Sequence, residues 1–99
     1  MLKELNKTNF DVEVNKGLKL IEFYTSWCGY CKKQQVELEQ MNKIWIGQVE
    51  ADQNPELASR FKINAYPTFL IFNNGKEVER IAGYRQKEIL LGKIMKYLR

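Results

Sequence analysis

Two cysteines, Cys28 and Cys31, stand three positions apart in the stretch SWCGYCKK, and the 99-residue chain has no others. A pair at this spacing can form a structural bridge, hold a metal ion, or exchange electrons as a dithiol and a disulfide. A structural zinc site takes four ligands, mainly from cysteine and histidine, and the chain has no histidine. We therefore expect no metal and no cofactor. A carboxylate-completed site and an iron–sulfur cluster shared by two chains are the weaker alternatives.

The segments on either side predict where the pair lies. Residues 18–25, LKLIEFYT, form an apolar run rich in β-formers and predict a buried strand. The residues from Cys31 onward, CKKQQVELEQMNK, have helix-forming composition, and Leu38, Met41 and Trp45 recur at helical spacing. The pair is therefore expected where a strand ends and a helix begins.

This position favours redox chemistry. Cys28 would lie at the helix N-terminus, where unpaired N–H groups and the positive end of the helix dipole favour an anion. The thiolate is the nucleophile, so we expect Cys28 to attack a disulfide and Cys31, one turn further in, to resolve the product. The alternative is that both cysteines are buried and only fill space. Gly29 and the position at the end of a strand argue against it, because they suit an exposed turn. Lys32 and Lys33 either form a solvated helix face, the favoured interpretation, or support the thiolate and steer acidic partners.

The remaining elements complete an α/β pattern. A short strand near residues 3–5 and a helix over 9–15 with Thr8 as N-cap open the chain, and residues 44–51 return to strand character. DQNPELASRF has the proline and acidic first turn of a helix start. PTFLIFNNGKEVERIAG predicts a hairpin, and RQKEILLGKIMKYLR a final helix. Residues 1–99 therefore form one domain with a mixed sheet, because a βαβ crossover needs parallel strands and the hairpin antiparallel ones.

Composition excludes several functions. The net charge of +4 is spread along the chain without a basic run longer than two residues, so we expect no nucleic-acid binding. The first twenty residues contain charges throughout, and no apolar stretch approaches the length of a signal or membrane span. We expect a cytosolic protein without a membrane partner, unless a leader has been removed. A reducing cytosol also argues against a structural disulfide.

Several separate motifs resemble the thioredoxin family across nearly the whole chain. They are the W-C-x-x-C segment, D-x-N-P-x-L-A from Asp52, Y-P-T from Tyr66, the N-N-G hairpin and the glycine at position 83. The resemblance implies a thioredoxin fold, which is a three-layer domain with a central mixed sheet flanked by helices. It also implies a cis Tyr66–Pro67 bond beside the dithiol and a groove that binds an extended substrate segment. The groove residues implied are Trp27, Gly29, Tyr30, Tyr66, Pro67, Gly83 and Tyr84.

Glu22 is the polar anomaly of the predicted strand 18–25. It occupies the place where thioredoxins have a buried aspartate that accepts the proton of the resolving thiol, so the resemblance implies this role for Glu22. Gln48 occupies the place of a lysine common in the family. Without that cation, a buried carboxyl is harder to ionise, and we expect the pKa of Glu22 to lie well above that of an ordinary glutamate. The alternative is an edge-facing carboxylate in water.

Tyr30 stands where thioredoxins have a proline, and the residues between a cysteine pair tune its reduction potential. We expect a potential somewhat less reducing than that of a Gly-Pro thioredoxin. The predicted function is a monomeric protein-disulfide reductase. Its partners would be disulfide-containing proteins and an electron donor of the thioredoxin-reductase type. The alternatives are an oxidase or isomerase of an exported compartment and a non-catalytic adaptor with the same fold.

Overall fold

Five strands form one mixed sheet in the computed structural model, which describes residues 1–98. The strands are β1 (Leu2–Leu5), β2 (Leu18–Tyr24), β3 (Ile46–Glu50), β4 (Thr68–Asn73) and β5 (Lys76–Ala82). The helices are α1 (Phe10–Val14), α2 (Gly29–Glu39), α3 (Pro55–Arg60) and α4 (Lys87–Met95). Within residues 1–98, no helix is both long and apolar enough to cross a membrane.

The strand order is β1-β3-β2-β4-β5, with β2 at the centre. β3 pairs in parallel with both β1 and β2, whereas β4 pairs antiparallel with β2 and β5. The mixed sheet expected from the sequence is confirmed. Asn74 and Gly75 join β4 to β5 with φ of 52° and 88°, the two positive values that a tight two-residue hairpin turn needs.

The helices cover both faces of the sheet because each strand alternates its side chains. Ile21 and Phe23 of β2 pack in a buried cluster with α1 and α3 residues, including Phe10 and Leu57. Leu20 belongs to the cluster on the other face. Its further members are Leu38 of α2, Leu90 and Ile94 of α4, Met41, Ile46, Phe69, Ile71 and Ile81. Glu22 follows Leu20 by two residues and therefore faces α2 and α4.

Two local predictions were wrong. The N-cap of α1 is Asn9 rather than Thr8. The side chain of Asn6 accepts the Thr8 and Asn9 N–H groups at 2.8 and 3.2 Å, and this side-chain turn fixes the helix start instead. The helical spacing of Met41 and Trp45 continues past the end of α2 at Glu39. Met41 is buried in the core from outside the helix.

Candidate active site

Cys28 is the N-cap residue of α2, as the sequence predicts. Its backbone is extended, with φ −82° and ψ 117°, and its sulfur accepts a hydrogen bond of 3.2 Å from the Cys31 N–H. A serine or aspartate oxygen usually makes this bond at a helix start. The Cys28 sulfur therefore lies where the helix N–H groups and dipole stabilise a negative charge.

Cys31 lies one turn deeper and is only 5% exposed. Burial raises the pKa of its thiol, and the adjacent Cys28 sulfur raises it further. The two sulfurs thus have different surroundings, although both cysteines are unpaired. A thiol with a raised pKa keeps its proton at neutral pH, so Cys31 would need a base to act as a nucleophile.

The turn that carries the pair is open to solvent, but the sulfurs are largely covered. Trp27 is 67% exposed and Tyr30 is 62% exposed, whereas Cys28 is 8% exposed. Gly29 is exposed as well. A partner would therefore meet the aromatic rings before it reaches the sulfur.

Glu22 is buried on the central strand, 1% exposed, which excludes the edge-facing alternative. It pairs in register with Gln48 of β3 and Phe69 of β4. Burial raises the pKa of Glu22 to about 7, the nearby Glu4 charge adds to this rise, and the hydrogen bond from Gln48 opposes it. The predicted rise in the pKa of Glu22 therefore has desolvation as its main cause.

A chain of amides joins Glu22 to helix α2. Gln48 Nε2 donates to Glu22 Oε1 at 2.9 Å and to Gln35 Oε1 at 2.7 Å. Gln35 Nε2 in turn donates to Glu39 Oε2 at 3.2 Å on the exposed side of the helix. Since the Gln48 amide occupies one oxygen of Glu22 as a donor, the other oxygen is the natural place for a proton.

A cavity of about 320 Å³ opens beside Cys31. Thr25 and Gln48 line it together with Glu4, Tyr24, Ser26, Lys32 and Gln35. The buried Thr25 hydroxyl has no hydrogen-bond partner within residues 1–98. A cavity of this size with polar side chains in its lining admits several water molecules, each of which occupies about 30 Å³. It therefore connects Cys31 with Gln48, and the Gln48 amide contacts Glu22.

The Tyr66–Pro67 bond is cis, as the resemblance implied. The Tyr66 carbonyl oxygen lies 3.5 Å from the Cys28 sulfur. The Gly83 N–H donates to the Pro67 carbonyl at 2.7 Å, and Gly83 has a φ of 94° that favours glycine. The buried Pro67 and the half-buried Gly83 are therefore joined through their backbones next to the Cys28 sulfur.

Aromatic rings border this part of the backbone. The Trp27 ring meets the Tyr66 ring edge to face, with centroids 6.2 Å apart, and Trp27 Nε1 donates to Asp52 Oδ2 at 2.7 Å. Tyr84 is half-buried next to Gly83, and Lys33 Nζ lies 4.5 Å from the centre of its ring. The structure brings Trp27, Tyr66 and Tyr84 to the two sides of the dithiol.

Sequence reasoning missed four residues at the site: Thr25, Gln34, Gln35 and Asp52. Gln34 is fully buried and holds the Arg85 backbone through its side-chain amide. These roles depend on contacts between residues far apart in the chain, so no local pattern reveals them. A metal centre has no candidate either, because residues 1–98 contain no group of three or more His, Cys, Asp or Glu side chains placed to hold an ion.

Comparison with known proteins agrees with this geometry. The thioredoxin family profile matches residues 1–96. The chain is 36% identical to a thioredoxin of Listeria monocytogenes, covering 99% of this chain and all of that one. It is 35% identical to a thioredoxin of Chlamydia caviae, over 92% of this chain and 93% of the relative.

Solved structures give the same result. A mutant thioredoxin from Halobacterium salinarum superposes with a TM-score of 0.91 at 25% identity, covering 99% of this chain and 91% of that one. A Plasmodium falciparum thioredoxin gives 0.87 at 27% identity, over 96% of this chain and 98% of that one.

Proposed function

Because this chain belongs to the thioredoxin family and is a thiol–disulfide oxidoreductase that reduces protein disulfides, we propose that Cys28 attacks and Cys31 resolves. The observation that carries this assignment is the 3.2 Å hydrogen bond from the Cys31 N–H to the Cys28 sulfur at the start of α2. It stabilises a negative charge on the Cys28 sulfur, and the thiolate is the reactive form.

In the first step the Cys28 thiolate attacks one sulfur of a substrate disulfide. A bond forms between the two sulfurs, the substrate S–S bond breaks, and the second substrate sulfur leaves with the electron pair as a thiolate. The backbone around Pro67 and Gly83 would hold the substrate segment beside the sulfur. Its proposed side-chain contacts come from Trp27, Gly29, Tyr30, Tyr66 and Tyr84.

In the second step Cys31 attacks the Cys28 sulfur and releases the first substrate sulfur. Cys31 must lose its proton, and we assign Glu22 as the acceptor. The cavity beside Cys31 extends to Gln48, whose amide contacts the Glu22 carboxylate. The pKa of Glu22, raised by burial to about 7, suits proton exchange near neutral pH. The cycle leaves the substrate as a dithiol and the protein with a Cys28–Cys31 disulfide, so two electrons have moved to the substrate.

Thioredoxins act on disulfide-containing proteins and are reduced by thioredoxin reductase. We propose that this chain receives its electrons from a donor of that class. We also propose that it works as a monomer in a reducing, cytoplasmic compartment, without a membrane or nucleic-acid partner. Its size of 99 residues supports a monomer, and its dispersed charge supports the absence of a nucleic-acid partner.

Trapping of the mixed disulfide tests the assignment. Cys31→Ser removes the resolving sulfur, so the variant should accumulate covalent, reductant-sensitive complexes with disulfide-containing proteins. The matched variant Cys28→Ser should accumulate none, because burial raises the pKa of the Cys31 thiol and keeps it out of the reactive thiolate form. Trapping only by Cys28→Ser would reverse the two roles. Equal trapping by both variants would show that neither cysteine is the dedicated attacker.

A further inference from the structure

The loop from Gly83 to Gln86 forms one wall of the proposed groove, and helix α2 holds it in place. Gln34 Nε2 donates to the Arg85 carbonyl at 2.8 Å, and Gln34 Oε1 accepts the Arg85 N–H at 2.9 Å. One turn later, Glu37 Oε1 accepts the Lys87 N–H at 2.7 Å. The helix that carries the dithiol therefore fixes the position of this wall.

Two cations lie at this wall: Arg85 belongs to the loop itself, and Lys33 reaches it from helix α2. Arg85 Nη1 donates to the Tyr84 carbonyl at 2.8 Å, and a Cβ atom at Gly83 would lie 3.3 Å from the same nitrogen. The guanidinium thus rests against the backbone next to Pro67. Lys33 Nζ lies over the Tyr84 ring at 4.5 Å and is exposed.

The charges of these cations are uncompensated. In the part of the chain that the structure describes, no carboxylate lies within 4.0 Å of the charged nitrogens of Lys33 or Arg85. The first turn of α2 has no acidic residue. On the opposite side of the dithiol, Asp52 binds the Trp27 indole. The groove is therefore positive on the Tyr84 side and negative on the Trp27 side.

We propose that Lys33 and Arg85 form a subsite for an anionic side chain, so that the protein prefers disulfides flanked by Asp or Glu. This inference rests on the proposed function, because it concerns the segment that Cys28 attacks. An acidic residue beside the attacked cysteine would pair with two cations that have no carboxylate partner within residues 1–98. Salt should weaken this preference, because exposed charge pairs are screened within a few ångströms at high ionic strength.

Three disulfide-bridged peptides test the proposal. They are identical except for Glu, Gln or Lys at the positions beside the attacked cysteine. At low salt the wild type should reduce the Glu peptide with a kcat/KM about three- to tenfold above that of the Lys peptide, mainly through KM. At 1 M salt, where the Debye length is about 3 Å, the ratio should approach one.

Variants show whether the two cations cause this ratio. The double variant Lys33→Gln with Arg85→Gln should reduce all three peptides equally. Arg85→Lys should keep the preference, because it restores the charge without the guanidinium geometry. The control is Lys16→Gln with Lys76→Gln, which removes the same net charge at the other end of the sheet, where Gly17 contacts Asn74. It should keep the wild-type ratio.

The outcomes separate this inference from the function on which it rests. Equal turnover of the three peptides by the wild type would overturn the charge preference and leave the reductase assignment standing. A preference that survives in the double variant would also overturn the subsite. Failure to reduce any peptide, with no difference between the wild type and Cys28→Ser, would overturn both.

Discussion

Gln48 donates a hydrogen bond of 2.9 Å to the buried carboxylate of Glu22, so a neutral amide faces this acid. An amide stabilises the ionised carboxylate less than a cation would, because it contributes a dipole and no net charge. The raised pKa of Glu22 follows from burial that this single bond does not offset. In the proposed mechanism, the environment of Glu22 therefore sets the pH at which Glu22 can accept the proton of Cys31.

Replacement of this amide by a cation should lower the pKa of Glu22. Gln48→Lys brings a positive charge into contact with the carboxylate, and we expect the pKa of Glu22 to fall by about 1 to 2. NMR titration of the Glu22 side chain measures it. Val12→Lys adds the same charge at an exposed position of α1, on the other face of the sheet, and should leave the titration unchanged. An unchanged pKa in Gln48→Lys would show that contact with Gln48 does not control the acid.

The raised pKa also predicts how stability depends on pH. Folded Glu22 binds its proton more tightly than the unfolded chain, so its contribution is fully present below pH 4.5 and lost as the pH rises through about 7. Glu22→Gln has no charge to bury and keeps an oxygen for Gln48. The free energy of unfolding of the variant minus that of the wild type should therefore increase by about 3 kcal/mol between pH 4 and pH 8.

Urea denaturation at the two pH values measures this difference. The control Glu56→Gln removes a carboxylate from an exposed position of α3, where the charge is solvated and pairs with the exposed Lys7 at 3.6 Å. Its difference from the wild type should stay nearly constant. If the difference in unfolding free energy between Glu22→Gln and the wild type were also independent of pH, burial would not be raising the pKa of Glu22.

Resolution of a mixed disulfide should depend on Glu22 as a base. With a nitrothiobenzoate group on Cys28, the attack of Cys31 releases a coloured thiolate. The wild-type rate should rise with pH through about 7, as Glu22 becomes able to accept a proton. Glu22→Gln should be slower by about 100-fold at pH 7.5, and Glu22→Asp should recover part of the rate. A Glu22→Gln rate equal to the wild type would remove Glu22 from the proton path.

The sequence revealed the features that local patterns determine. The position of Cys28 at a helix start follows from the change of periodicity around it, and α3 begins at Pro55, where a missing N–H costs nothing. Asn74 and Gly75 specify the hairpin because both adopt positive φ. In each case the preference of the residue agrees with the structure around it.

Contacts between distant segments explain what the sequence did not reveal. Thr8 is a good N-cap residue, but the Asn6 side chain accepts the N–H groups of both Thr8 and Asn9, and the helix begins one residue later. Gln34 and Gln35 resemble ordinary polar helix residues. Their roles appear only because Arg85 lies 51 positions from Gln34 and Gln48 lies 13 positions from Gln35. No spacing rule links such pairs.

Gln34 should stabilise the wall of the groove. Gln34→Leu leaves the Arg85 N–H and carbonyl groups without their partner, so we expect a loss of about 1 to 3 kcal/mol in stability. Hydrogen exchange at the Arg85 amide should become faster, and KM for a disulfide peptide should increase more than kcat changes. The control is Gln53→Leu at an exposed position. It should change none of the three quantities, which are the stability, the exchange rate at Arg85 and the KM. Unchanged exchange at Arg85 would contradict this role.

The central claim is that the start of α2 makes the Cys28 sulfur reactive, while burial raises the pKa of the Cys31 thiol and keeps it protonated. The most direct measurement is the alkylation rate of each cysteine by iodoacetamide in the reduced protein at pH 7, followed by peptide mass spectrometry. We predict that Cys28 reacts at least about tenfold faster than it does in the denatured chain, and that Cys31 reacts more slowly than it does there. Equal rates for Cys28 in the folded and denatured protein would contradict the account.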